Sequence, residues 1–500
     1  MEKFFKIKQY GTNVRTELVA GITTFFTMAY IIFVNPNILS LAGTPDNPFS
    51  PQGIFVATII ASFVGTMVMA LFANVPFALA PGMGMNAFFT FTICQIMGFT
   101  WQQALAMVLI CGVINIIITT TGLRKAIIRS LPKVLQGAIG GGIGLFISYI
   151  GVKDAGFLKF TSDPGTYLFL GKTPADATVI ANASAVPSLV NFSDPAVLLG
   201  LIGVLIIVTL MVRKVKGAIL IGIVSVTAAA LIAVAAGADP HIFFPLLPED
   251  VTTAGAFFGT VSITPASIGS SIASIKDTAF KLDFAGLFSD PSRIVLAFTA
   301  IIAFILTDIF DALGCFVGIG RRTGIFDAED EKLMYEGSGV KSRMDRALFA
   351  DLCATITGAI VGTSNTTAYA ESAVGIAEGG RTGLTSVTTA VLFLLSLVLA
   401  PVVGLVPSCA TAPALIVVGI LMMGSVMEID WRNFEEAAIA FVTVALMPFT
   451  YSITTGIAFG FIFFVLIRLL RGRYKEIHPI MYGATALFIV NFVLLAVNHI

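Results

Sequence analysis

The sequence predicts an all-α polytopic membrane protein with fourteen transmembrane segments, arranged as two inverted halves of seven. Three observations carry that expectation. Hydrophobic residues make up 57% of the 500 positions and charged ones 12%, with a mean hydropathy of +0.95, whereas a soluble domain carries roughly 25% charged residues. Apolar stretches of membrane-crossing length recur along the chain with polar breaks between them. The third stretch of each half is interrupted by small and polar residues at corresponding places, the pattern of a broken membrane helix.

The elements follow in order. Residues 1–16 are short and basic (Lys3, Lys6, Lys8, Arg15) with Phe4, Phe5 and Ile7 between the charges. They read as a cytoplasmic interfacial segment, not a cleaved signal. Spans are expected near 17–40, 53–73, 76–97, 101–121, 132–150, 195–212 and 217–236 in the first half. In the second they are expected near 291–319, 345–362, 364–379, 383–400, 407–426, 434–450 and 452–471. Two polar segments, 151–194 and 237–290, are rich in Ser, Thr, Asp, Pro and Gly and read as loops on the outer side. A last apolar stretch, 480–498 within the C-terminal segment 472–500, reads either as an extra span or as a surface helix.

Charge segregation orients the chain. With the N-terminus inside, 23 of the 29 Lys and Arg fall on the inner side, a strong positive-inside bias. The remaining six are Lys153, Lys159, Lys172, Lys276, Lys281 and Arg293, so no basic residue is left for the membrane core. Formal net charge is zero, which gives no electrostatic case for nucleic acid. The five cysteines have no metal or disulfide spacing. No nucleophile–base pair, metal cluster, cofactor site or nucleotide loop suggests an enzyme. The cluster Gly140, Gly141, Gly142 and Gly144 lies in an apolar span and reads as close helix packing.

The candidate site centres on VGTSNTTAYAESAVGIAEGGRTGL, Val361 to Leu384. Polar backbone at membrane depth is tolerated only inside protein or around a cavity. An ionisable residue there, Glu371, marks a functional site by default. A half-helix starting near Tyr369 to Glu371 turns unpaired N–H groups and a positive dipole end toward the cavity. The related stretch PFALAPGMGMNAFFTF places a second half-helix near Met83. There Gly82 and Gly84 permit close backbone approach, and Asn86 offers a donor and an acceptor. Thr363 to Thr367 alternate faces if extended, so only some of them face a ligand.

Asp308 and Asp311, spaced i and i+3, share one helix face. They invite a cation, a proton or ligand N–H groups. Thr23, Thr24, Phe25, Phe26 and Thr27 could offer aromatic and hydroxyl surface to a flat ligand, although lipid or core packing is the commoner fate of any one Phe. His241, His478 and His499 fall in loops or at the chain end, so proton handling would rest on carboxylates. Glu378 and Arg381 read as a solvated charge pair in a turn. Without Arg or Lys in the site, an anionic ligand is disfavoured. A neutral planar molecule with several N–H donors and carbonyl or ring-nitrogen acceptors fits better.

APGMGMNAFF, DIFDALG, GTSNTTAYAESAVGIAEGGRTGL and CATAPALIVVGILMM together resemble the AzgA-like purine permeases, a branch of the nucleobase–cation symporters. The resemblance runs from about Thr16 to Arg471. It implies the inverted-repeat fold of the bacterial uracil transporter. A core domain would comprise 17–121 (spans 1–4) and 291–400 (spans 8–11), and a gate domain 132–236 (spans 5–7) and 407–471 (spans 12–14). The extracytoplasmic loop 237–290 would lie between the halves.

The resemblance further implies proton-coupled import of adenine, hypoxanthine or guanine across the cytoplasmic membrane, by alternating access, in a homodimer. Carried over by position, it makes Glu371, Asp308, Asn86 and Gly84 substrate residues, joined by Thr367 and Phe26 from the reading above. Asp308, Asp311 and Glu371 become the proton-coupling candidates. Asn365 stands where the family's tract carries a hydroxyl residue. An uncoupled nucleobase facilitator or channel, and an anion exchanger on the same fold, are the competing readings.

Overall fold

The computed structural model describes residues 2–121, 132–161, 167–169, 177–179, 186–244, 247, 251–259, 264–326, 330, 340 and 342–497. Arg124, Lys125, Arg129, Lys332 and Lys341, expected on the inner side, and Lys172 and His499 lie outside the described residues.

Helical elements occupy each expected position. The first is α1 (Val14–Met28) running into α2 (Ile31–Leu39), followed by α3 (Pro51–Val68). The third begins with strand β1 (Leu79–Pro81), continues as the short helix α4 (Met83–Ala87) and widens into a π-helical stretch, Phe88–Ile96. Then come α5 (Trp101–Thr121), α6 (Lys133–Asp154), α7 (Pro195–Val212) and α8 (Ala218–Ala235). The second half opens with α9 (Ile294–Thr323) and α10 (Arg343–Val361). Its broken element is strand β6 (Thr366–Ala368) followed by α11 (Ser372–Ala377). It closes with α12 (Gly383–Leu395), α13 (Ser408–Met422), α14 (Phe434–Phe449) and α15 (Ile453–Leu470).

Among the described residues, nine helical stretches are long and apolar enough to cross a membrane. The apolar C-terminal stretch is a helix, α16 (Pro479–Val497), packed on α15 through Phe461–Phe488 and Phe459–Phe492 ring contacts. The segment 151–194, expected as loop, instead contains two small antiparallel pairs. β2 (Leu158–Thr161) pairs with β5 (Val186–Leu189), and β3 (Tyr167–Phe169) with β4 (Ala177–Val179).

The helices pack in two groups. In one, α1 lies on α11 and α12, α3 on α10 and α12, and α5 on α9 and α10. In the other, α6 lies on α13 and α14, and α13 on α7 and α8. The glycine cluster explains the second group's closeness. A Cβ at Gly144 would stand 2.7 Å from the Gly419 carbonyl oxygen, and one at Gly142 2.6 Å from Met447 Sδ. Apolar helices in lipid gain little from burial as such, so close backbone approach and packing hold them.

What joins the halves is β1 against β6. They run antiparallel, with Leu79 opposite Ala368, Ala80 opposite Thr367 and Pro81 opposite Thr366. Gly82 N donates to Asn365 O at 2.9 Å, and Tyr369 N to Ala78 O at 3.0 Å. A two-stranded pair in a membrane leaves both outer edges unpaired, and each orphan group must find a partner.

Side chains of neighbouring helices supply those partners. Thr66 Oγ1 accepts from Leu79 N at 2.9 Å and donates to Leu79 O at 3.1 Å. Thr355 Oγ1 donates to Thr366 O at 3.1 Å, and Asp351 Oδ1 accepts from Ala368 N at 2.8 Å. Ser372 Oγ accepts from Ala78 N, and Ser386 Oγ reaches the carbonyls of Val75 and Phe77. Thr66 of α3, Thr355 and one oxygen of Asp351 in α10, and Ser386 of α12 thus complete the backbone of the strand pair and its approach.

Candidate functional site

The strand pair places α4 and α11 end to end in opposite senses. Gly82 is the N-cap residue of α4 and Glu371 that of α11, close to the expected starts. Glu371 is partly exposed and its neighbour Ala370 is exposed, whereas 362–369 are buried throughout. The buried run thus ends at this carboxylate. Tyr30, just beyond α1, donates its hydroxyl to Glu371 Oε1 at 2.7 Å. Tyr369 donates to the Pro81 carbonyl at 2.6 Å, and its ring leans on Tyr30 with centroids 6.4 Å apart. One carboxylate oxygen is therefore held by protein, which leaves the other for a ligand donor.

Asp311 is the second partly exposed acid. A Cβ on Gly82 would stand 3.6 Å from its Oδ2, and Asp311 is near enough to Glu371 and Asp308 for their charges to interact. No basic side chain forms an ion pair with Asp308, Asp311 or Glu371 among the described residues. The candidate site is two neighbouring carboxylates with an aromatic brace, at a backbone junction where the strands pack so closely that a Cβ on Gly82 would stand 2.9 Å from Thr367 Cγ2.

The other sequence-predicted residues are placed differently. Asp308, expected at the ligand, is 1% exposed and lies behind the strands. Its Oδ1 accepts from Asn365 Nδ2 at 3.0 Å and its Oδ2 from Asn115 Nδ2 at 2.9 Å. The Asn365 amide thus ties the broken segment to α9. Asn86 is buried, and its Oδ1 accepts the Ser364 hydroxyl. Gly84, expected beside the ligand, instead meets the other helix group: a Cβ there would be 2.7 Å from Ile143 Cγ2 of α6.

Thr367 is 2% exposed and sits beneath Gly82, while Thr363 accepts from Asn35. The whole tract 363–367 is turned into protein. Phe26 is 51% exposed, edge-on to Phe25 and one turn before Tyr30. The expected Glu378–Arg381 pair is not made. Glu378 pairs with Lys216 at 2.5 Å, while Arg381 donates to the carbonyls of Ile376 and Gly380. That turn is fixed by backbone acceptors of Arg381 Nη1, and the Glu378 carboxylate turns to Lys216 instead.

The sequence reading passed over Tyr30, Asn115 and Asp351. Asp351 is fully buried in the middle of α10, so the acids at this depth number more than the three counted from sequence. The rule that singled out Glu371, an ionisable residue within an apolar span, applies equally to Asp351. Tyr30 carries no such signal, because an aromatic residue in an apolar helix is ordinary.

Known proteins give the context. A model of the Permease family, the xanthine and uracil permeases, matches residues 15–459. The guanine/hypoxanthine permease PbuG of Bacillus subtilis is 38% identical over 99% of this chain and 100% of its own length. The adenine permease AdeP of Escherichia coli is 36% identical over 99% of this chain and 96% of its own. Among solved structures, the transmembrane domain of the cyanobacterial bicarbonate transporter BicA superposes with a TM-score of 0.57 at 16% identity, over 89% of this chain and 97% of that one. That likeness speaks to fold alone, the one expected for an inverted-repeat membrane protein. With a family match over nearly its whole length and full-length relatives above 30% identity, the chain is a multi-pass membrane protein of the xanthine/uracil permease family, a family of permeases and not of enzymes.

Proposed function

We propose that this chain imports purine nucleobases across the cytoplasmic membrane, coupled to protons. The observation that carries the reading is the pair of partly exposed carboxylates, Glu371 and Asp311, at the meeting point of two broken helices, with no ion-pair partner among the described residues. Such a site suits N–H donors of a neutral heterocycle, and a site built for hydrogen bonds rejects analogues that lack them. Full-length relatives named for guanine, hypoxanthine and adenine support the class. Glu371 receives the base edge, Tyr30 fixes the carboxylate, and Phe26 flanks the approach one turn away. Asn86, Asp308 and Thr367 support the junction from behind.

Fourteen crossings, an inner N-terminus and a homodimer complete the proposal. The group of α1–α5 with α9–α12 acts as core, the group of α6–α8 with α13–α15 as gate, and their relative movement gives alternating access. The test is uptake in cells lacking other purine permeases. Glu371→Gln is expected to abolish purine uptake while the protein still reaches the membrane, and a protonophore should collapse accumulation where sodium removal does not. Wild-type uptake in Glu371→Gln would remove Glu371 from the site, and a sodium requirement would reverse the choice of cation.

A further inference from the structure

Behind the strand pair lies a polar region that the ligand-facing geometry does not use. Asp351 is 0% exposed in the middle of α10. Its Oδ1 is taken by Ala368 N–H, but its Oδ2 has no hydrogen-bond partner. A small void beside it is lined by Thr119, Asp308 and Asp351, and otherwise by apolar side chains of α9 and α10. Around Asp308 and β6, Asn115 Oδ1, Asn365 Oδ1 and Thr367 Oγ1 are also buried without partners. All of these atoms can accept a hydrogen bond. The Thr367 hydroxyl, which lies against Asp351, is the one of these that can also donate. The region is otherwise rich in acceptors, and a buried carboxylate is costly until something positive joins it.

No such group comes from the described residues. The charged groups acting on Asp351 from α9 are Asp308 and Asp311, with the Cys315 thiol also near. From β6 come the Thr367 hydroxyl and the Ala368 N–H. The other elements packed closely on α10, which are α3, the π-helical turn Met69–Ala73 that follows it, α5 and β1, contain no charged residue. On α10 itself Arg343, Asp345 and Arg346 lie toward its N-terminal end, more than a helical turn from Asp351.

We propose that Asp351, with Asp308 across the void, is the residue that carries the coupled proton, separate from Glu371, which binds the base; this rests on the proton-coupled reading above. Both oxygens of Asp308 already accept amide N–H groups, so a proton there would displace a donor, whereas Asp351 Oδ2 is free to take one. An O–H bond forms at Oδ2 with a proton from water on the outer side and breaks to water on the inner side. No other covalent bond changes and no electron moves. A metal cation fits less well, since hard cations need oxygen ligands on all sides and most of the void is apolar. Occupancy reaches the base through β6. A protonated Asp351 is a weaker acceptor for Ala368 N–H, and Ala368 lies just ahead of Tyr369 and Glu371.

The test uses the purified full-length protein in liposomes with a trapped pH dye, and radiolabelled hypoxanthine with adenine in parallel. In the wild type, an inward purine gradient is expected to acidify the lumen. Asp351→Asn should lose acidification and uphill accumulation yet still exchange internal for external hypoxanthine. A wild type that does not acidify the lumen overturns proton coupling itself. A wild type that does, beside an Asp351→Asn that acidifies equally, overturns only the present assignment. Loss of exchange in a folded Asp351→Asn also overturns it, in favour of a structural part.

If that variant does not fold, the wild type decides. A lipophilic carbodiimide, which reacts with protonated buried carboxyls, should label Asp351 at acid pH and progressively less as pH rises, read by peptide mass spectrometry. No label at Asp351 at acid pH overturns the proposal, as does accumulation that follows a sodium gradient at equal pH.

Discussion

Tyr30 and Glu371 lie 341 positions apart and meet through one hydrogen bond of 2.7 Å, from the Tyr30 hydroxyl to Glu371 Oε1. This contact sets which carboxylate oxygen is left open and in what direction. Removing the donor should therefore weaken ligand binding while sparing the fold. A hydrogen bond to a charged group contributes about 1.5–3 kcal/mol, or roughly ten- to a hundredfold in affinity. Tyr30→Phe is expected to raise the Kd for hypoxanthine within that range, measured by calorimetry on purified protein, with an unchanged elution profile. An unchanged Kd would leave the brace without a part in binding.

Asp308 should behave in the opposite way. It is enclosed by Asn115 and Asn365, so Asp308→Asn puts an amide against two amide donors. Unpaired buried polar groups cost about 1–3 kcal/mol each. The expected outcome is a clear fall in Tm, and Asn365→Ala should fall in the same direction. A variant Tm equal to wild type would mean that the two amides are not holding Asp308.

Glu17 tests how the inner end is fastened. It is fully buried and accepts from Arg381 N at 2.9 Å, Thr382 N at 3.3 Å, Thr385 N at 3.2 Å and Thr385 Oγ1 at 2.6 Å. It thereby satisfies the N–H of Thr385 in the first turn of α12 and those of Arg381 and Thr382 just before it, beside Asn74 and Thr382, which take Gly383 N and Leu384 N. It also places negative charge at that helix's positive end. Glu17→Ala should lower Tm by an amount comparable to losing a strong cap, about 1–2 kcal/mol, whereas Glu17→Gln keeps an acceptor and loses less. Equal effects of the two substitutions would remove charge from the explanation.

Lys216 and Glu378 connect the α7–α8 turn of one helix group to the end of α11 in the other. Both are partly exposed, with side-chain exposures of 48% and 33%. Solvent screening limits such a pair to about 0–1 kcal/mol, so Lys216→Ala should leave Tm nearly unchanged. If the groups move against each other, it should still shift the balance of inward and outward access. Cysteine labelling at Ala370, compared from the two sides of the membrane, reads that shift. A large drop in Tm would contradict the surface character of the pair.

The interior of the second helix group offers a steric test. A Cβ on Gly419 would stand 2.2 Å from Ser148 Oγ and 2.3 Å from the Gly144 carbonyl oxygen. A backbone neighbour cannot swing aside, so overpacking typically costs about 1–3 kcal/mol. Gly419→Ala should reduce Tm and yield of folded protein. Full stability would show that α6 and α13 can separate freely.

The sequence by itself determined what lies along the chain. Helix periodicity and length located the apolar elements, because a span must be long and apolar wherever it packs. The Ser, Thr and Asn run before Glu371, and its counterpart ahead of Met83, betrayed the broken helices, because polar backbone in lipid demands a special setting. The glycine cluster read correctly as close packing for the same local reason.

Only the tertiary structure decided which polar side chains face the hollow and which complete its walls. Thr66, Asp351, Thr355 and Ser386 sit in separate helices, and nothing local says that they serve the edges of β1 and β6. Asp308 and Asp311 share a helix face in sequence, yet one is enclosed by two amides and the other opens beside Gly82. Tyr30 came within reach of Glu371 only when the halves met. Orphaned backbone groups and carboxylates take partners by distance in space, and the folded halves alone set those distances.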